Sequence, residues 1–231
     1  MVARRLDEVK ARIARAATRA GRDPADVTLL AVSKGRNDDE VLAAYRAGQR
    51  DFGENRAAGL TERLRSDLPD DIRWHFVGTL QRRKVGLVAP VVVLLHSLDR
   101  LALARSWSTQ EVASPVLLQV NVAREPQKHG FDPDELLDVA DRVSDLGITV
   151  DGLMTIPPRP EQPEDSLRWF EMLAALGEGL RERHPDAVQL SMGMTDDLEI
   201  AVEAGATIVR VGRAIFEPAP AGDTGRVDVP R

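Results

Sequence analysis

Apolar residues in this chain follow two patterns that alternate along it, one with helical spacing and one of short continuous runs. Leu6, Val9, Ile13, Ala16, Ala17 and Ala20 fall on one stripe with arginines opposite. This predicts an amphipathic leading helix over residues 2–20, ended by Gly21. An apolar run over 27–33 follows, bounded by Asp26 and Lys34, and it leads into Asn37-Asp38-Asp39-Glu40. A cap residue with Glu three positions later is a helix start signal. The strand, loop and helix then repeat. Strands over 51–53, 73–77 and 91–96 precede helical stretches near 55–68, 82–88 and 99–111. In the second half a strand over 116–122 leads to Asp132-Pro133-Asp134-Glu135, an N-cap, a first-turn proline and an acidic third residue, and a helix running to about 146. Strands over 148–154, 188–191 and 207–211 lead to helices near 163–183, 196–204 and 213.

Eight such units with nearly all-apolar strands require a parallel sheet covered by helices. A closed (β/α)8 TIM barrel fits them better than an open dinucleotide-binding sheet, because no Gly-x-Gly-x-x-Gly follows the first strand. The length of 231 residues suits one such barrel. The expected organisation is a single barrel domain over 1–217 and a Pro/Gly-rich, flexible tail over 218–231.

Charge and composition remove several function classes. With 31 Lys+Arg against 37 Asp+Glu the formal net charge is −6, which repels a nucleic-acid backbone unless a local basic patch intervenes. Arg82-Arg83-Lys84 and Arg4-Arg5 are short and read as solvated helix faces. There is no Cys, so thiolate metal sites and disulfides are unavailable. The apolar run over 85–95 is broken by Gly86 and Pro90, and the N-terminus lacks a signal-peptide core. A cytoplasmic protein without membrane or nucleic-acid partners is the expectation. His75, His96 and His129 show no metal-ligand spacing.

In a barrel, chemistry gathers where strands end and βα loops begin. Lys34, Asn55, His75, His96, Asn121, Met154-Thr155, Ser191 and Arg210 stand at or near those positions. Only four lysines occur, Lys10, Lys34, Lys84 and Lys128. A desolvated lysine can act as a nucleophilic amine where arginine cannot lose its proton, although Lys34 also reads as a surface residue capping the first loop. Across the expected mouth, Ser191-Met192-Gly193-Met194 and Arg210-Val211-Gly212-Arg213 occupy the loops that usually bind phosphate in this fold. Thr195 through Glu199 reads as a plain helix cap. His75, set between Trp74 and Phe76, reads equally as a satisfied core histidine or as a ligand contact.

Ala31-Val32-Ser33-Lys34, Phe52-Gly53-Glu54-Asn55, Trp74-His75-Phe76-Val77-Gly78-x-Leu80-Gln81, Val120-Asn121-Val122, Gly152-Leu153-Met154, Leu190-Ser191-Met192-Gly193-Met194 and Val209-Arg210-Val211-Gly212 occur in that order between about Val27 and Phe216. In these motifs the chain resembles the pyridoxal phosphate homeostasis protein family, single-barrel relatives of the alanine racemase N-terminal domain. The resemblance implies that Lys34 carries pyridoxal 5'-phosphate as a Schiff base and that Arg210 faces the pyridine nitrogen. Ser191, Gly193, Gly212 and Arg213 would hold the phosphate, and Asn55 and His75 would line the pocket. It implies a monomer that stores or delivers the vitamin B6 cofactor, with apo-forms of enzymes that use it as partners, rather than an enzyme. An amino-acid racemase and a sugar-phosphate enzyme with Lys34 as an aldolase-type amine are the alternatives. The chain departs from the family pattern at Gly35-Arg36, where a threonine-led stretch is more usual, at Arg213, where threonine or serine is common, and at Glu217, which replaces a glycine.

Overall fold

A computed structural model describes residues 1–217; the expected tail over 218–231 lies outside them. The elements are α1 (Val2–Arg19), β1 (Thr28–Val32), α2 (Asp38–Arg46), β2 (Asp51–Glu54), α3 (Ala57–Arg63), β3 (Arg73–Phe76), α4 (Val85–Val88), β4 (Leu94–Leu98), α5 (Leu101–Trp107), β5 (Val116–Gln119), α6 (Leu136–Ser144), β6 (Val150–Met154), α7 (Leu167–Arg183), β7 (Gln189–Ser191), α8 (Leu198–Glu203), β8 (Ile208–Val211) and α9 (Arg213–Phe216). The strands close in chain order into one parallel barrel, with β1 paired to both β2 and β8.

Because successive strand side chains point to opposite faces, each strand feeds two cores. Leu30, Leu94, Leu117, Met154 and Ile208 form a small cluster of their own inside the barrel. Their neighbours Leu29, Ala31, Leu95, Val116, Leu118, Leu153, Val209 and Val211 point outward into the main core beneath the helices. The stripe Leu6, Val9, Ile13, Ala16 and Ala17 of α1 is buried as its spacing predicts. Helix α1 is tied to α8 by Arg12, which donates to Glu199 at 2.6 and 2.8 Å and to the Thr195 carbonyl at 3.0 Å.

The capping box at Asn37 and Glu40 forms as expected, and Asp132 caps a 3-10 turn at Pro133–Glu135 before α6. Several boundaries differ from the sequence reading. The helix expected near 55–68 is confined to α3, the one near 99–111 to α5, and strand 116–122 to β5. The fourth strand begins at Leu94 rather than Val91. Residues 91–93 make the turn out of α4 instead, with Val91 N–H bonded to Val88 O and Val93 N–H to Trp74 O. This shift places His96 in the middle of β4, not at its end, and the bonding of its ring explains why a polar residue sits there.

Candidate functional site

The first loop positions the amine expected from the sequence, Lys34, at the rim. Lys34 and Gly35 form a turn closed by Arg36 N–H to Ser33 O at 3.0 Å, and Gly35 has φ +70°, a conformation that favours glycine. Lys34 is exposed and, among the described residues, takes part in no hydrogen bond or ion pair. The turn itself is held from below. Arg63, at the end of α3 and only 10% exposed, bonds the carbonyls of Ser33 and Arg36, and it pairs with Asp38 and with Glu54. Glu54 in turn accepts from the Ser33 hydroxyl at 2.8 Å. The turn's backbone is therefore held in place while the Lys34 side chain stays free.

Asn55 follows β2 and is half-buried, and its backbone carbonyl packs where any side chain on Gly78 would collide, 2.0 Å from an ideal Cβ. Gly212 lies between β8 and α9, and a Cβ there would come within 3.0 Å of the Val32 carbonyl. The loop after β8 thus passes against the end of β1, two residues before Lys34. The first N–H groups of α9, from Arg213 and Ala214, have no partner inside the helix, as at any helix start. Gly193 has φ +85°, and a Cβ on it would meet Ala201 Cβ at 2.3 Å, so the loop after β7 closes onto α8 only with glycine at this point.

Five strands contribute a buried polar chain inside this rim. Arg210 on β8 donates through Nη1 to Ser191 Oγ on β7 at 2.8 Å and through Nη2 to the Thr155 carbonyl after β6 at 2.8 Å. His96 Nδ1 lies 2.8 Å from Ser191 Oγ, His96 Nε2 lies 2.9 Å from His75 Nδ1, and His75 Nε2 lies 3.1 Å from Asp51 Oδ1 on β2. Arg73 completes the chain at the N-terminal end of the barrel by donating to Asp51 at 2.7 Å. Burial lowers the Arg210 guanidinium to about 10, with Asp197 opposing the shift. It stays a cation at neutral pH.

The sequence-expected residues thus separate into groups. His75, Ser191 and Arg210 share the bonded chain, and Gly193 and Gly212 shape the two loops beside it. Lys34 stands on the neighbouring rim. His75 reaches Ser191 only through His96, since both of its ring nitrogens are engaged. Arg213 is exposed and paired with Asp196. Lys128 donates to the Pro157 carbonyl at 2.9 Å and pairs with Glu125. Asp51, Arg63 and Asp197 did not emerge from the sequence as site residues. Asp197 is buried, caps the loop by accepting from Met194 N–H at 2.7 Å, and accepts from the Ser166 hydroxyl at 2.9 Å. An acid directly before an apolar helix was the one local signal for it.

An exposed amine on a clamped turn, beside a buried arginine–serine pair and two glycine-shaped loops, makes this a (β/α)8 barrel with its candidate chemistry at the C-terminal ends of the strands. No model of a known protein family matches the chain. It is 40% identical over 226 residues to the pyridoxal phosphate homeostasis protein of Escherichia coli (strain K12), covering 93% of this chain and 95% of that protein. It is 43% identical over 227 residues to the protein of the same name from Pseudomonas aeruginosa, covering 93% and 94%. The structure of PipY from Synechococcus elongatus PCC7942 with PLP bound superimposes with a TM-score of 0.77 at 31% identity, over 94% of this chain and all of that one. The chain belongs to the pyridoxal phosphate homeostasis protein family.

Proposed function

We propose that this protein binds pyridoxal phosphate at the C-terminal mouth of its barrel as a Schiff base on Lys34, and stores or delivers it in the cytoplasm, affecting amino-acid and keto-acid balance. The observation that carries the reading is the placement of an unengaged Lys34 on a rim whose neighbouring strand end, at Val32, touches the Gly212 loop. The names of the relatives and the PLP-bound PipY support the choice of ligand.

The residues fit that group. Gly193 and Gly212 keep side chains out of the loops that would face a phosphate, Ser191, buried and bonded to Arg210 and His96, would hold that arginine in place, and Arg210 supplies a buried cation for the pyridine nitrogen. Asn55 and His75 lie on the same side of the barrel. Arg213, drawn to Asp196, gives the phosphate its charge only at long range. When bound, the cofactor supplies an aldehyde that exchanges between amines, which is what a carrier passing it to apo-enzymes requires. The protein acts as a monomer without racemase or transaminase turnover.

Borohydride reduction of the cofactor-loaded protein followed by peptide mass mapping tests the assignment. Lys34 should carry the label, and Lys34→Ala should lose visible absorbance while keeping its far-ultraviolet circular dichroism. Labelling mainly at Lys84 or Lys128 would overturn it.

A further inference from the structure

The barrel carries a second concave site, at the end opposite Lys34. A cleft of about 460 Å³ opens at the N-terminal end of the strands, between α1 with the 3-10 turn Pro24–Asp26 on one side and the chain entering β2 on the other. That volume lies in the range of roughly 300–1,000 Å³ typical of small-molecule sites. Ile13, Val27 and Leu29 give the cleft an apolar wall, and Lys10, Gln49, Arg50, Asp51 and Arg73 bring polar groups to it.

The hydrogen bonds of these groups show which of them are unengaged. Arg50 is occupied, with Nε donating to Asp71 and Nη1 to the carbonyls of Tyr45 and Gln49. Arg73 commits Nε and Nη2 to Asp51, and its Nη1 has no acceptor among the described residues. Lys10, half-buried on α1, makes no hydrogen bond or ion pair among the described residues. The lining therefore holds two cationic donors in reserve. It also holds acceptors. Gln49 is only 4% exposed, and its Nε2 donates to the Leu29 and Asp51 carbonyls at 2.7 Å each. Two carbonyl partners fix the amide orientation, because only its NH2 can donate to them. Gln49 Oε1 is left without a donor among the described residues, and a buried acceptor in that state is costly until something fills it. Asp51 is an anion: burial pushes its carboxyl up, but hydrogen bonds from His75 and Arg73 outweigh this and hold it at about 2. Of the roughly four lone-pair sites of a carboxylate, Arg73 fills two and His75 one.

A ligand that meets both sets needs an anionic group and a strong hydrogen-bond donor on one small frame, with an apolar part for the wall. A zwitterionic α-amino acid has all three. Its carboxylate suits Lys10 and Arg73 Nη1, its ammonium suits Gln49 Oε1 and Asp51, and an aliphatic side chain suits Ile13, Val27 and Leu29. A bare anion would leave Gln49 Oε1 empty and face the Asp51 charge, and a bare amine would face Lys10 and Arg73. Dianions are disfavoured as well, because Asp51 and Asp71 already neutralise Arg73 and Arg50, which leaves one unbalanced charge on the described lining, that of Lys10. We propose that the cleft at the N-terminal end of the barrel is a binding site for a free aliphatic α-amino acid, separate from the mouth that carries Lys34.

The test uses the full-length, cofactor-free protein and, beside it, Lys34→Ala, in which residual cofactor cannot form an imine at that residue. Calorimetry with L-valine as the probe should show one site of equal affinity in both. Isovalerate lacks the ammonium and isobutylamine lacks the carboxylate, and each should bind at least about tenfold more weakly, the loss expected for one charge-assisted hydrogen bond. Lys10→Met should weaken L-valine by about tenfold for the same reason. Nitrogen-15 spectra of labelled histidine locate the ligand, since His75 shares Asp51 with the cleft. The His75 ring signals should move with the same half-saturation as the heat. Absence of heat at millimolar L-valine, an analogue bound as tightly as L-valine, full affinity in Lys10→Met or an unmoved His75 would each overturn the proposal. Binding lost in Lys34→Ala would place the amino acid at the mouth and overturn it too. The analogue series decides the question even if Lys10→Met does not fold, and none of these outcomes alters the lysine mapping on which the cofactor assignment stands.

Discussion

Arg36 Nη2 donates to Glu217 Oε1 at 2.6 Å, tying the loop after β1 to the residue that follows α9. Two positions at which the chain departs from its family's pattern therefore meet each other across the rim. Both side chains are partly exposed, at 25% and 44%, and such a pair contributes only about 0–1 kcal/mol. Glu217→Ala should accordingly shift the urea-unfolding free energy by less than about 1 kcal/mol, yet speed cofactor exchange severalfold because the span closes one side of the mouth. Stopped-flow absorbance on mixing loaded protein with excess amine measures the second effect. An unchanged exchange rate would make the pair a surface contact only.

Arg63 is a different case, since its guanidinium is mostly buried and serves the turn that carries Lys34. Arg63→Ala leaves buried Glu54 with the Ser33 hydroxyl as its remaining partner and frees two backbone carbonyls. A loss of about 2–4 kcal/mol is expected from removing one member of a buried pair. Weaker cofactor retention should accompany it, and Arg63→Lys should restore charge without the fork that reaches both carbonyls. Denaturation midpoints and cofactor titration of both variants check this.

The strand-and-helix alternation was legible because apolar runs and cap residues are local signals. The helix stripe of α1 and the Asn37 capping box needed only neighbours in sequence. The start of β4 was not legible in the same way. Five apolar residues from Val91 to Leu95 offer no preferred first residue, and the choice is made by the Val93 N–H finding Trp74 O on another strand. The site divides along the same line. Lys34, Ser191, Arg210 and the glycines stand at strand ends and could be found from position. The bonds joining Asp51, His75, His96 and Ser191 link residues on four different strands, so no spacing along the chain encodes them. Arg63 was hidden among many arginines, because its partners are carbonyls of a loop far away in sequence.

Gly193 offers a steric test of the loop after β7. Its φ of +85° and the 2.3 Å approach of Ala201 Cβ to an added Cβ mean that alanine meets both backbone strain and a collision. Gly193→Ala should destabilise the fold by about 2–4 kcal/mol and move Ser191 away from Arg210. Thermal unfolding and cofactor affinity should both fall. Full affinity in a stable variant would show that the loop accommodates a side chain.

Asp51 predicts a pH dependence of stability with a definite sign. Its folded-state value is depressed from 3.8 to about 2, so its contribution is fully present above the unfolded value and is lost as pH falls through about 2. Asp51→Asn should cost about 2 kcal/mol near neutrality, since it removes the negative charge between Arg73 and His75 and sets an NH2 donor where one acceptor oxygen had been. That difference from wild type should shrink steadily as the pH is lowered from about 4 to about 2. Urea midpoints of the two proteins across this range decide the matter, and a difference independent of pH would mean that Asp51 is not the titrating group.

Turnover is the last expectation, and the site argues against it on two grounds. Racemisation needs a second acid–base group on the face of the reacting carbon opposite Lys34, within hydrogen-bond reach. The chain's one tyrosine, Tyr45, lies near the C-terminal end of α2, which carries the chain back from the mouth. There its hydroxyl donates to Asp71 at 2.6 Å, and Arg50 stacks on its ring 3.9 Å from the centroid. Tyr45 is therefore occupied at the other end of the barrel. His75 and His96 are committed to each other, to Asp51 and to Ser191, so neither has a free nitrogen for substrate. The second ground is Arg210, a buried cation that, facing the pyridine nitrogen as proposed, would hold that nitrogen unprotonated and so weaken its capacity to accept electrons from a carbanion. Assays of amino-acid chirality and keto-acid formation with saturating cofactor should show no sustained turnover, while transfer of pyridoxal phosphate to an apo-enzyme proceeds. Turnover of about 1 s⁻¹ or more, abolished by Lys34→Ala, would make this protein an enzyme and not a carrier.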